Sequence, residues 1–195
     1  MTAEHAAIYD WPMHQWVLWV LVAASALHIV EEHALGWQGW ASEYFGERLG
    51  VRPTWTDFWV TNAALIVFGV ACAMVGWKAA GFSLGLAALA LINAIGFHVL
   101  PSLRAGAPNP GLFTAAALYV PIGIWAYVAA SSDDRLSFGA FVLSVLVGAT
   151  VMAAAVGMLI LGRDYGYADA AEDEAGPPPI PGTHAEAETG GDDGD

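Results

Sequence analysis

Charge is scarce in this chain, and where it is missing matters more than the total. Only 13% of the 195 residues are charged, against about a quarter in an average soluble domain. Asp, Glu, Lys and Arg are absent from residues 58–77, 79–103, 105–132 and 136–162. Each gap holds an apolar segment long enough to cross a hydrocarbon core of about 30 Å, which excludes an ordinary soluble domain. Lys and Arg together number six, with one lysine, Lys78. They form no basic patch, so no nucleic acid is expected as a partner. The single cysteine, Cys72, excludes an intrachain disulfide and a multi-cysteine metal site, and mid-helix it suits small apolar packing. No Lys or Arg precedes the first apolar segment, which is also too long for the core of a cleavable signal, so none is expected.

What remains is a lipid bilayer protein. The expected fold is all-α, a polytopic membrane bundle of five transmembrane helices at about 13–35, 57–77, 82–100, 111–130 and 137–161. These form one domain, 1–163, followed by an acidic, disordered tail over 164–195. Ten of the nineteen acidic residues follow Arg163, so the net charge of −13 belongs largely to that tail. Without it, nine acids face six bases, a difference of −3. The tail contains Pro177-Pro178-Pro179, Gly190-Gly191 and few large apolar residues, the composition of disorder. One lysine and an acidic tail fit high-salt adaptation and an ordinary solvated tail equally.

Asp10 is placed to cap the first helix, with Trp11, Trp16 and Trp19 anchoring it at an interface. The long loop Gly36–Thr56 mixes Trp37, Trp40, Tyr44, Phe45 and Trp55 with charge, which suits a short amphipathic helix in the headgroup region. It reads as an interfacial segment or, more sharply, as a lid. Thr56 is the expected cap of the second span, Ala79-Ala80-Gly81 the turn into the third, and Pro101 its end. Pro121 is expected to kink the fourth span. The fifth, with Ser144 and Thr150 as its polar residues, reads as packing support. Five spans put the termini on opposite sides. Arg48, Arg52, Arg104 and Arg163 fall on one side, Lys78 and Arg135 on the other. That imbalance points to a multi-pass protein of the cell membrane with its N-terminus outside and C-terminus cytoplasmic.

The exception to the apolar pattern is Leu27-His28-Ile29-Val30-Glu31-Glu32-His33, late in the first span. His28, Glu31 and Glu32 share a helical arc of roughly 100°, and His33 points elsewhere. Charge at bilayer depth costs on the order of 2.5–3.5 kcal/mol per residue, so this face, with Ser25, must meet protein or water. Given alternating spans, Asn62, Asn93, His98 and Thr114 come to the same half of the bilayer as the cluster. Polar groups from four helices at one depth describe a built site. His98 or Asn93 is expected within direct or one-water reach of His28 or a glutamate. The two, about 140° apart, should not both touch one atom. His33 is expected in an outer position or solvated, and His5, His14 and His184 as bystanders.

His28-Ile29-Val30-Glu31-Glu32 resembles the signature of the HXXEE-motif membrane proteins. Asn93 and His98 late in a middle span, with Asn109-Pro110-Gly111 opening the next, are similar to further marks of that family. The resemblance covers roughly residues 20–130. It implies the fold and the site positions and brings no activity with it.

Several functions fit these residues. In a metal-dependent membrane enzyme, His28, Glu32 and His98 would hold a divalent ion, zinc, iron or manganese. Glu31 and Glu32 would be the catalytic carboxylates, and Asn62, Asn93 and Thr114 would bind a lipid-soluble substrate. His-Glu-x-x-His and the repeated histidine boxes of membrane di-iron desaturases are absent, which favours one ion over two. The second reading is metal-free acid–base isomerisation or lipid binding, with one glutamate as acid and His28 as base. A third is proton or cation transport, weakened by the lack of an internal repeat, although a homo-oligomeric pore stays open. The fourth is a purely structural polar clasp. In each, Glu31 and Glu32 are expected to be unequal, with Glu32 the ligand on the i, i+4 ridge of His28.

Overall fold

The computed structural model describes residues 14–175, with side chains as far as residue 161. The expectations for Asp10, Trp11, His5 and His184 fall outside the described residues. The helices are α1 Val17–Ala34, α2 Trp37–Leu49, α3 Trp55–Val75, α4 Gly85–Ala105, α5 Leu112–Ser132 and α6 Phe138–Ala175. Five stretches are long and apolar enough to cross a membrane: Val17–Ala34, Trp55–Ser83, Gly85–Ala105, Leu112–Ser132 and Phe138–Leu161. Large apolar side chains point outward from them, Val67, Met74 and Leu146 among others, as a lipid-facing surface requires.

Local chemistry sets several boundaries differently from the sequence reading. The second span starts one turn-position earlier, because Thr54 rather than Thr56 is its cap. The Thr54 hydroxyl accepts from the Asp57 N–H at 3.1 Å while the Asp57 carboxylate accepts the Thr54 N–H at 2.8 Å, a reciprocal capping box. The chain reverses through a tight helical turn at Gly76–Ala79, ahead of the expected Ala79-Ala80-Gly81, and a short turn, Ala80–Ser83, leads into α4. The Ser83 hydroxyl donates to the Gly76 carbonyl at 2.7 Å and closes this reversal.

Pro101 does not end α4. The turn before it, Ala94–Val99, is π-helical, and the helix continues to Ala105. A proline has no N–H for the carbonyl four residues back, here that of Phe97. The Asn109 side-chain amide supplies the missing donor, at 2.8 Å to the Phe97 oxygen. Pro121 repeats the arrangement: the expected kink is a π-helical turn at Ala115–Tyr119 just before it. Such turns widen a helix by one residue and redirect the side chains they carry. Here they carry His98 and Tyr119.

α4 is the central helix, touching α1, α3, α5 and α6. Small residues let its neighbours approach. A Cβ on Gly148 of α6 would lie 2.7 Å from the Leu89 nitrogen, so α4 and α6 meet backbone to backbone. The aromatic loop is the helix α2, which covers one end of the bundle with Ala41 and Phe45 buried beneath it. Where composition points to disorder from Asp164, the backbone of α6 continues helical to Ala175. Ala, the best helix former, makes up half of residues 168–175, and the next helix-breaking proline is Pro177. The tail beyond Ala175 falls outside the described residues.

At the opposite end, Asp133 ties three segments together. His14, expected to be a bystander, donates its backbone N–H to Oδ2 at 3.0 Å and sets its ring Nδ1 2.7 Å from Oδ1. The Trp77 indole donates to Oδ2 at 2.8 Å. Burial works against the charge, but the hydrogen bonds from His14 and Trp77 prevail and hold the carboxyl below the usual carboxylate range. A depressed value means stability that is full above the unfolded carboxylate pKa, about 3.9, and lost as pH falls through the folded one. Asp133→Asn is therefore expected to cost about 1.5–3 kcal/mol at neutral pH. The gap in thermal midpoint from the parent protein should close below about pH 4. A gap independent of pH would mean that the carboxylate charge contributes nothing.

Candidate metal centre

α1 brings Ser25, His28, Glu31 and Glu32 to the bundle, as its periodicity predicts, with His28 and Glu32 buried. His33 is off that face, exposed and packed against the rings of Trp55 and Trp59 at 4.7 and 5.2 Å. The two glutamates part company. Glu31 reaches across to α5, where its carboxylate oxygens accept the N–H groups of Phe113 at 3.1 Å and Thr114 at 2.7 Å. These are orphan donors of a helix N-terminus, which favours an anion. Both of its oxygens are thereby engaged, so Glu31, expected beside Glu32 as a catalytic carboxylate, serves as the cap of α5.

Glu32 turns inward instead. Its Oε1 lies 3.6 Å from His28 Nε2 and 3.5 Å from His98 Nε2. One ligand atom from each of these three buried residues lies within 4.8 Å of the others. The imidazoles meet edge to face, with centroids 4.7 Å apart. His98 is thus within direct reach of Glu32, and its π-helical turn aims it there.

The far side of each ring reveals its tautomer. His98 Nδ1 lies 3.2 Å from Asn109 Oδ1, while the Asn109 amide nitrogen donates to Phe97. The Asn109 oxygen can only accept, so His98 Nδ1 carries the proton. His28 Nδ1 lies 2.8 Å from the Thr114 hydroxyl, which donates onward to the Gly111 carbonyl at 3.4 Å. In that arrangement Thr114 accepts from His28 Nδ1, and each ring turns an Nε2 lone pair inward. Both Nε2 atoms are buried without a hydrogen-bond partner, and they converge with a Glu32 carboxyl oxygen within 4.8 Å. Outer partners that lock the tautomer are characteristic of metal-ligating histidines.

Gly111 closes the arrangement. Its φ of +91° is one that L side chains avoid. A Cβ there would stand 2.6 Å from His98 Cε1, 2.7 Å from His28 Cε1 and 3.0 Å from Glu32 Cγ. The backbone of the Asn109–Gly111 turn is in contact with all three side chains.

The other expected residues divide. Thr114, expected to touch substrate, has its hydroxyl 2.8 Å from His28 Nδ1. Asn62 donates to the Phe58 carbonyl of its own helix at 3.0 Å, and it lines two adjoining cavities with Glu32 and Asn93. The larger, ≈ 80 Å³, also reaches His98, and the smaller, ≈ 40 Å³, reaches His28 and Tyr119. α6 is more than packing support, since Met152 contributes to both walls. Residue-type reasoning missed Asn109 as the His98 partner. The signal was Pro101, whose missing N–H leaves the Phe97 carbonyl in need of a donor.

The three possible ligands, their outer partners and Gly111 all lie within one matched region. No curated protein and no solved structure matches the chain. A model of proteins of unknown function with an HXXEE motif matches residues 19–126, more than half of the sequence and all of the His28–Glu32 cluster, so the chain belongs to that family.

Proposed function

We propose that the protein is a membrane metalloenzyme, with one divalent ion held by His28 Nε2, His98 Nε2 and Glu32 Oε1, acting on a lipid-soluble substrate. The observation that carries this reading is the convergence of three buried possible ligand atoms, two of them imidazole nitrogens without a hydrogen-bond partner. The separations of 3.5 and 3.6 Å are too long for hydrogen bonds. They suit ligands on one ion: metal–ligand bonds of about 2.0–2.2 Å at tetrahedral angles put neighbouring ligand atoms roughly 3.3–3.6 Å apart. Two nitrogens and one oxygen suit zinc, iron or manganese. Three protein ligands is the number found in catalytic rather than closed structural zinc sites. Such an ion would supply Lewis-acid polarisation of a substrate oxygen. The chain's own residues orient the ligands through Thr114 and Asn109, exclude bulk water by burial, and present Asn62 and Asn93 in the adjoining cavities.

Metal-free acid–base chemistry would use the same His28 and Glu32, and a polar clasp the same three residues. Both call for proton-sharing contacts, and the long distances favour the ion. Proton or cation transport would need a polar route onward from the cluster. α6, which borders it, contributes apolar Met152, Ala155, Val156 and Leu159 to the larger cavity.

The test is elemental analysis of detergent-purified protein loaded separately with zinc, iron and manganese, beside a Glu32→Ala control. One equivalent of a metal in the parent protein, absent from the control, is expected. Equal metal in both, or none in either, would overturn the proposal.

A further inference from the structure

The lining of the larger cavity is mostly apolar, with Glu32, Asp57, Thr61, Asn62, Asn93 and His98 as its polar residues. Trp37, Trp40 and Phe45 of α2 form its roof, and Met152, Ala155, Val156 and Leu159 of α6 one wall. Those four recur at spacings of three, four and seven, a single helix face. The residues lining it include no lysine or arginine. Its one carboxylate besides Glu32 is Asp57, which is engaged with Thr54.

Two polar atoms on this lining, Thr61 Oγ1 and Asn93 Oδ1, are buried and without a hydrogen-bond partner. An unpaired buried polar atom costs about 1–3 kcal/mol, so a pair of them on one cavity calls for a visitor. Their chemistry states what the visitor offers. Asn93 Oδ1 only accepts, and the Thr61 hydroxyl can give or take. A hydroxyl satisfies both. An ionised carboxylate or phosphate accepts only and, in the protein stripped of metal, would leave Asn93 Oδ1 unpaired beside two acidic side chains.

We infer that this cavity binds a single-chain neutral lipid alcohol. Its hydroxyl sits between Thr61 and Asn93, and the ≈ 80 Å³ cavity takes only the first carbons of its chain, against the α6 face beneath α2. The inference rests on the proposed function in taking this alcohol as the molecule acted on, but its binding does not need the ion.

The experiment uses the full-length protein in two forms, metal-loaded and chelator-stripped, with metal content measured in each. A hexadecanol analogue carrying a photoreactive diazirine beside its hydroxyl end is irradiated with each form and the attachment sites are mapped by mass spectrometry. Labelling is expected at Met152–Leu159 and at the α2 roof in both forms. In the stripped form unlabelled hexadecanol should compete about tenfold better than hexadecanoate, the factor that roughly one hydrogen bond provides. Ala155→Trp, which fills the cavity, should remove the label, and Thr61→Val with Asn93→Leu should erase the preference for alcohol over acid. Label scattered over the outer helix faces, or equal competition by hexadecanoate against the stripped parent protein, would overturn the inference whatever the variants do. Specific labelling in a protein that binds no metal would overturn the metalloenzyme and leave this site standing. Stoichiometric metal with scattered label would do the reverse.

Discussion

Glu31→Gln and Glu32→Gln, one residue apart, are expected to fail in opposite ways. Glu31 accepts two backbone N–H groups at the start of α5. Glutamine keeps one acceptor and turns an amide group toward the other donor, so the variant should lose about 1.5–3 kcal/mol of stability. Loss of the anion at a helix N-terminus adds about 0.3–1 kcal/mol. Its thermal midpoint should fall while one equivalent of metal is retained. Glu32→Gln should do the opposite, weakening metal binding by more than the roughly 10–100-fold that loss of an outer partner costs. Without metal its thermal midpoint should stay close to that of the stripped parent protein, because the Glu32 contacts to the two rings, at 3.5 and 3.6 Å, are too long for hydrogen bonds. Metal stoichiometry and thermal unfolding, measured on both variants, read the two effects separately. If the variants lose metal and stability together, the division of labour between the glutamates is wrong.

Gly111→Ala is expected to destroy the site without touching a ligand. The left-handed backbone there costs an alanine about 1–2 kcal/mol, and the new methyl group would collide with His98, His28 and Glu32 at 2.6–3.0 Å. Overpacking of that kind costs about 1–3 kcal/mol more. The structure can relieve it by withdrawing the Asn109–Gly111 turn, which releases Thr114 from the Gly111 carbonyl and Asn109 from His98. Either route spreads the three ligand atoms. Metal should be lost and the thermal midpoint lowered, with helical content by circular dichroism kept, since the spans do not depend on this turn. An alanine variant that binds metal like the parent protein would show that the contacts of Gly111 with the cluster do not hold in solution.

Much of this architecture was legible in residue order because its physics is local. Four runs without charge can only be long apolar helices, and the period of 3.6 residues puts His28 and Glu32 on one face whatever surrounds them. His98 was also within reach, because an imidazole in an apolar span has to find a partner on a neighbouring helix. The separate fates of Glu31 and Glu32 were foreseeable as a divergence in direction, but the neighbour each one meets was not. Glu31 finds free N–H groups only because α5 begins beside α1, which is a matter of packing. Thr114 read as substrate-binding by residue type, and it holds His28 because its hydroxyl proton is directed to the Gly111 carbonyl. One helix end was misplaced because the deciding partner is distant. Pro101 breaks a helix on local grounds, yet α4 passes through it because Asn109, eight residues on, satisfies the carbonyl that the proline leaves free. Sequence alone therefore determined the helices, their apolar faces and the residue types of the site. The tertiary structure decided which nitrogen of each histidine is bare, which glutamate faces the cluster and what lines the cavity beside it. Those are properties of hydrogen bonds and contacts between segments far apart in the chain, which no local periodicity encodes.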